Sequence, residues 1–323
     1  MESLFIDRRG VSLDVEGQVL LVRHPDERKP ASFPLQNVER VVIASKAQLS
    51  SSVIQACTRA GVSLLLLNPR AIDLCAVTMP WRHGNAARRV AQYRLNGTAE
   101  FCLDASRALV RSKLLSQIRT LRRMLRHYPG QRFVITRAQE RIGDSIPRAL
   151  QATDISTLRG IEGAAARSYF LALSSCTPTG LNFSGRNRRP PRDPVNATLS
   201  LSYVILHADA VRALCAAGLD PMLGFFHELS YNRESLACDL VELFRTHVDY
   251  WALGLFRRQV LRVEHFSHPN DGTRDVACLM GKAGRANYYP EWDRMARGWR
   301  LSMRKIATRW ARTVLPANEQ REE

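Results

Sequence analysis

"LFIDRRGVSLDVEGQVLLV", residues 4–22, decides how the chain begins to fold. Three short runs, "LFID", "VSLDV" and "QVLLV", are separated by "RRG" and "EG", which are turn signals at hairpin spacing. The same strand character continues in "RVVIA" (40–44), "VSLLLLN" (62–68) and "CAVTM" (75–79). Between two of these, "SSSVIQACTRAG" predicts a short helix opened by serine and closed by Gly61. The first 80 residues therefore predict a mainly β domain with one helix. From Ala86 onward the apolar spacing turns helical, as in Leu109, Leu114, Ile118, Leu121 and Leu125 within an arginine-rich segment. The second domain is expected to be nearly all helix, with "PWRHGNA" (80–86) as the connection and no internal repeat. A chain of 323 residues exceeds the size at which one core usually stops growing, which agrees with two domains.

Composition narrows the function. Lys and Arg number 47 against 30 Asp and Glu, a net charge of +17 with a pI near 10.3, so a polyanionic partner is expected. Seven cysteines lie scattered with no C-x-x-C pair, which argues against a disulfide framework and a thiolate zinc site. The N-terminus lacks a basic segment followed by an apolar run, and no membrane span is expected, so the reading is a cytoplasmic protein.

Three stretches of the helical part carry candidate chemistry. In "LRGIEGAAARSYF" (158–170), Glu162 stands at the margin of an apolar stripe of Leu158, Ile161, Ala165, Tyr169 and Ala172. In "GFFHELSYNRESLACDLVELFR" (224–245), His227 precedes a helix bearing Asp239 and Glu242, three residues apart and so on one face. An imidazole with carboxylates can hold Mn²⁺ and is compatible with Mg²⁺; surface acids paired with Arg245 or Arg233 are the plainer alternative. In "SGRNRRPPRDPVNATLS", Arg186, Arg188, Arg189 and Arg192 crowd one loop, while Asp193 and Pro194 cap and start a helix. The loop arginines are expected to contact phosphate, with Arg300 and Arg304 of "ARGWRLSMRKIATRWAR" as a further basic surface.

"IEGAAARSYF", "RRPPRDPVNATLSLSYVILHADAVRALCAAGLDPMLGFFHE" and "SLACDLVELFR", in this order over 158–245, resemble the CRISPR-associated integrase, the nuclease of CRISPR adaptation. The resemblance implies an α+β protein of two domains: a β-rich, sandwich-like dimerisation domain over 1–80, a linker over 81–97, and an all-α, metal-dependent catalytic domain over 98–323. It implies that Glu162, His227 and Glu242 bind Mg²⁺ or Mn²⁺, with Asp239 in catalytic support. It further implies a homodimer acting on double-stranded DNA, both captured fragments and the CRISPR repeat, beside a dimer of a small ferredoxin-like adaptation protein. The chemistry implied is DNA cleavage and metal-assisted transesterification by a DNA 3′-hydroxyl. Two rival readings share parts of this pattern: a stand-alone metal-dependent nuclease of DNA repair or branched DNA, and a non-catalytic basic DNA-binding scaffold. Thr246 and the leucine of "ELFR" depart from the family pattern, and neither is a proposed ligand.

Overall fold

A computed structural model describes residues 2–67, 75–78, 84–187, 190–268 and 277–315. Contacts divide the chain into two units, residues 1–83 with 281–297, and residues 84–280 with 298–323.

The first unit holds two four-stranded sheets. One has the order β1 (Glu2–Ile6), β5 (Val38–Ile43), β7 (Ser63–Leu67), β8 (Cys75–Thr78). The other runs β4 (Ala31–Pro34), β3 (Val19–Arg23), β2 (Val11–Glu16), β6 (Ala47–Leu49). Strands β2 and β3 form the expected hairpin, turning where Gly17 takes a φ of 59°. The first turn does something else. "RRG", with Gly10 at φ 77°, sends the chain from one sheet to the other, so β1 pairs in parallel with β5 and not with β2. Turn chemistry specifies a reversal of direction but not the partner. The partner is set by burial, because Ile6, Val41 and Ile43 of one sheet face Val11, Leu13 and Leu20 of the other in a single core. Val53 and Cys57 of α1 (Ser51–Arg59) close that core, and Gly61 follows the helix at φ 73° as expected. Residues 281–297 add Tyr289, stacked on Phe5 at 4.5 Å, and Arg285, paired with Asp7 at 2.8 Å.

The second unit is built on helices α2 (Ala86–Asn96), α3 (Ala99–Met124), α4 (Arg132–Gln151), α5 (Ile155–Ser175), α6 (Pro194–Ala216), α7 (Ser235–Glu242) and α8 (Arg245–Arg257). A two-residue pair of strands, β9 (Phe266–Ser267) and β10 (Leu279–Met280), precedes α9 (Lys282–Val314), whose first half is counted with the first unit. The expected linker over 81–97 is corrected in its described part. Residues 86–96 form α2, where buried Arg88 donates to Ala217 O at 2.6 Å and buried Gln92 to Asp220 O at 2.9 Å. A polar-looking segment thus spends its polar groups on carbonyls of the helical unit.

Helix α6 is the axis of this unit. Asp193 accepts from Asn196 N at 2.8 Å and Pro194 fills the first turn, as the sequence indicates. It is long and apolar enough to cross a membrane, against the reading that no segment is, yet most of its side chains are buried within the fold, packed on α7 and α8.

Candidate active site

The site grows from a glycine. A Cβ on Gly224 would lie 2.7 Å from the Ser235 carbonyl carbon and 2.8 Å from His227 O, so only glycine lets the loop 224–227 close on the start of α7. The closed loop points its backbone at one carboxylate. Asp239 accepts from Phe225 N at 2.7 Å and from Phe226 N and His227 N at 3.1 Å. It also lies 2.6 Å from His227 Nδ1. A carboxylate so engaged only accepts, which places the proton on Nδ1 and leaves Nε2 of His227 as the ligand atom. Asp239 is therefore the holder of the histidine.

One turn further along α7, Glu242 is buried as well. Its Oε1 pairs with Arg245 Nε at 2.7 Å and its Oε2 with Lys113 Nζ at 2.5 Å. Lys113, from α3, also donates to Glu162 Oε1 of α5. Two acids from separate helices thus meet on one ammonium. Burial alone would raise the pKa of Glu242, but Arg245 and Lys113 overcome it and hold the carboxyl far below its usual range. Burial would likewise lower the pKa of Lys113, and Glu242 with Glu162 raise it instead.

Behind Arg245 a second buried layer fixes its position. The guanidinium lies over the Tyr203 ring, 4.6 Å from the centroid, and the Tyr203 hydroxyl donates to Asp249 Oδ1. Burial pushes the Asp249 carboxyl up to about 6, against the Tyr203 bond and Arg245, which favour its ionised form. Ser116 and Thr246, 2.6 Å apart, tie α3 to α8, and Arg159 of α5 holds the loop through Phe226 O at 2.8 Å and Glu228.

Among the described residues no three His, Cys, Asp or Glu side chains are arranged to share an ion as they stand. The ammonium of Lys113 lies between Glu162 and Glu242. The donor set nonetheless fits a hard divalent ion: two carboxylates and an imidazole nitrogen, with the buried Oε2 of Glu242 facing a positive charge 2.5 Å away. Glu162, His227 and Glu242 would be the ligands.

The basic candidates separate. Arg186 is turned inward, donating to Asn196 Oδ1 at 2.8 Å and Ser200 Oγ at 3.0 Å and lying over Tyr203. These bonds anchor the half-buried side chain to α6. Arg300 is 4% exposed, so little of its guanidinium reaches the surface. Arg192 and Arg304 are exposed, and Arg304 lies with Lys305, Arg309 and Arg312 in a basic strip of α9. Arg188 and Arg189 lie outside the described residues. Lys113, Tyr203, Asp249 and Gly224 were not among the expected site residues; Arg245 was expected only as a partner of surface acids, and it pairs with the buried Glu242. For Lys113 a signal existed, because lysine is scarce in this arginine-rich chain, with five in all.

The family model for "CRISPR associated protein Cas1" matches residues 4–294. The chain belongs to the Cas1 family. It is 34% identical over 317 residues to the CRISPR-associated endonuclease Cas1 1 of Thermodesulfovibrio yellowstonii, covering 98% of both chains. In fold it is similar to a casposase bound to its integration product, with a TM-score of 0.82 and 20% identity over 97% of this chain and 90% of that one. It is similar, too, to a chain of a Cas6-RT-Cas1–Cas2 complex, with a TM-score of 0.81 and 20% identity over 97% of this chain and 34% of that longer one. The Cas1 family membership agrees with the resemblance carried by residues 158–245.

Proposed function

We propose that this chain is the integrase of CRISPR adaptation, a divalent-metal-dependent DNA endonuclease and transesterase that inserts captured DNA fragments into the CRISPR repeat array. The observation that carries the reading is the meeting of Glu162 and Glu242 on one buried cationic position, beside a histidine whose Nε2 is set free by the bond from Nδ1 to Asp239. Mg²⁺ or Mn²⁺, when bound, supplies Lewis acidity toward the scissile phosphate and the attacking hydroxyl. Glu162, Glu242 and the Nε2 of His227 hold that charge in place. Asp239 fixes the imidazole, Arg245 keeps Glu242 ionised, and the loop from Gly224 keeps the histidine against α7. With a DNA 3′-hydroxyl as nucleophile the result is strand joining, and with water it is cleavage.

Arg192 and the basic strip of α9 supply sequence-independent attraction for double-stranded DNA. The assembly is a homodimer through the β-rich unit, working in the cytoplasm with a dimer of a small ferredoxin-like adaptation protein. Supporting this are family membership and the likeness to chains from integration and Cas1–Cas2 assemblies. The test is a joining and cleavage assay in Mn²⁺ with Glu162→Gln, alongside a DNA-binding measurement. Both reactions are expected to fall to background while binding is kept. Joining by the Glu162→Gln protein at the wild-type rate would overturn the site, and cleavage without joining in the wild type would favour a stand-alone nuclease.

A further inference from the structure

Lys113 has an unusual position for a lysine beside two metal ligands. Its side chain is 12% exposed, and its ammonium is bonded to Glu162 Oε1 and lies 2.5 Å from Glu242 Oε2. A divalent ion bound to the same oxygens would sit about 2.0–2.6 Å from each. The ammonium and the ion therefore require the same space, and a +1 and a +2 charge cannot share it. Nor is the lysine needed to neutralise Glu242 by itself, because Arg245 already pairs with the other oxygen at 2.7 Å. What Lys113 adds is a link between acids on two different helices, α5 and α7, whose mutual repulsion would otherwise drive them apart in the dry interior.

We propose that Lys113 is a built-in competitor for the divalent ion: its ammonium holds Glu162 and Glu242 together in the metal-free protein and is displaced when the ion binds. The inference rests on the reading of this site as a divalent centre. Lys113 is then a positioning residue, keeping the ligands preorganised at the expense of metal affinity. Two consequences follow from one geometry. Removal of the ammonium weakens the metal-free fold, and it strengthens metal binding, since nothing has to be displaced.

The test compares the full-length wild type with Lys113→Met and Glu162→Gln, using Mn²⁺ alone as the probe. Calorimetry is expected to show Mn²⁺ binding about tenfold tighter in Lys113→Met than in the wild type, and lost in Glu162→Gln. Thermal unfolding is expected to show Lys113→Met less stable than the wild type without metal and more strongly stabilised by added Mn²⁺. Equal or weaker Mn²⁺ binding by Lys113→Met, with wild-type binding intact, overturns the competitor role and leaves the metal site standing. No Mn²⁺ binding by either protein overturns both. Should Lys113→Met fail to fold, the wild type still decides. Acetylation of Lys113 by acetic anhydride, read by mass spectrometry, is expected to rise several-fold on adding Mn²⁺, and unchanged labelling overturns the proposal.

Discussion

In a chain of net charge +17, Glu162 and Glu242 lie in the interior against Lys113 and Arg245, while of the arginines expected to meet DNA, Arg186 and Arg300 face inward and Arg192 and Arg304 outward. The acid cluster is a set of mutual dependencies, in which each group is held by at least one other. The outward arginines belong to the field of the whole surface. A change in the first region should therefore propagate, and a change in the second should stay local and additive.

The strongest way to break that contrast is Arg245→Met. It leaves Glu242 buried with one of its two cations gone, and stability in urea should fall by about 3–5 kcal/mol. A loss under 1 kcal/mol would mean that the cluster is not coupled through Arg245.

Asp249→Asn probes the layer behind. The Asp249 carboxyl is raised to about 6 from an ordinary 3.8, so its contribution to stability is present below about pH 4 and is lost as pH rises through about 6. Asparagine does not titrate and still offers Oδ1 to the Tyr203 hydroxyl. The stability of the wild type relative to the variant should decline between pH 4 and 7, by up to about 3 kcal/mol at 1.36 kcal/mol per pKa unit. Denaturation midpoints that differ by the same amount across that range would remove Asp249 as a titrating member of the cluster.

Gly224→Ala tests the loop, and here the expected cost is about 1–3 kcal/mol, from a methyl placed 2.7 Å from the Ser235 carbonyl carbon. The variant should also lose cleavage activity, because the shift needed to fit it moves the amides that hold Asp239 and, with it, His227. Wild-type activity and stability together would show that the loop is not clamped.

How much of this could be read beforehand depended on whether the information was local. Gly61 after α1, Asp193 and Pro194 at α6, and the stripe from Leu158 to Ala172 on α5 each follow from a few neighbouring residues, and all are observed. The pairing of β1 with β5 and the place of α2 in the helical unit follow from surfaces that meet across 30 or more residues, and spacing does not encode them. Within the site, Glu162, His227, Asp239 and Glu242 were candidates on local pattern alone, and their meeting as one set was implied only by the resemblance carried by residues 158–245. Lys113 was not a candidate, since a lysine on an arginine-rich helix reads as one more surface cation until α5 and α7 are folded against it. The same blindness acted in reverse on Arg186: four arginines in one loop look alike in sequence, and only the packing of α6 reveals that one of them bonds Asn196 and Ser200.

The outward region offers the smallest effect and the sharpest contrast with Arg186. Arg192→Gln and Arg304→Gln each remove one exposed charge, and Arg304 has Lys305, Arg309 and Arg312 close by on α9 to maintain the local field. If these residues meet phosphate, each substitution should lower the slope of log affinity against log salt by about 0.9 and weaken binding to unrelated duplexes alike. Arg186→Gln should do the opposite, costing stability through its lost bonds to Asn196 and Ser200 while leaving the salt slope where it was. Binding to two unrelated duplexes, measured from about 50 to 200 mM salt, separates the cases. A slope that falls for Arg186→Gln and not for Arg192→Gln or Arg304→Gln would mean that the guanidinium leaves Tyr203 when DNA arrives, and that the inward arginine, not the exposed ones, belongs to the DNA track.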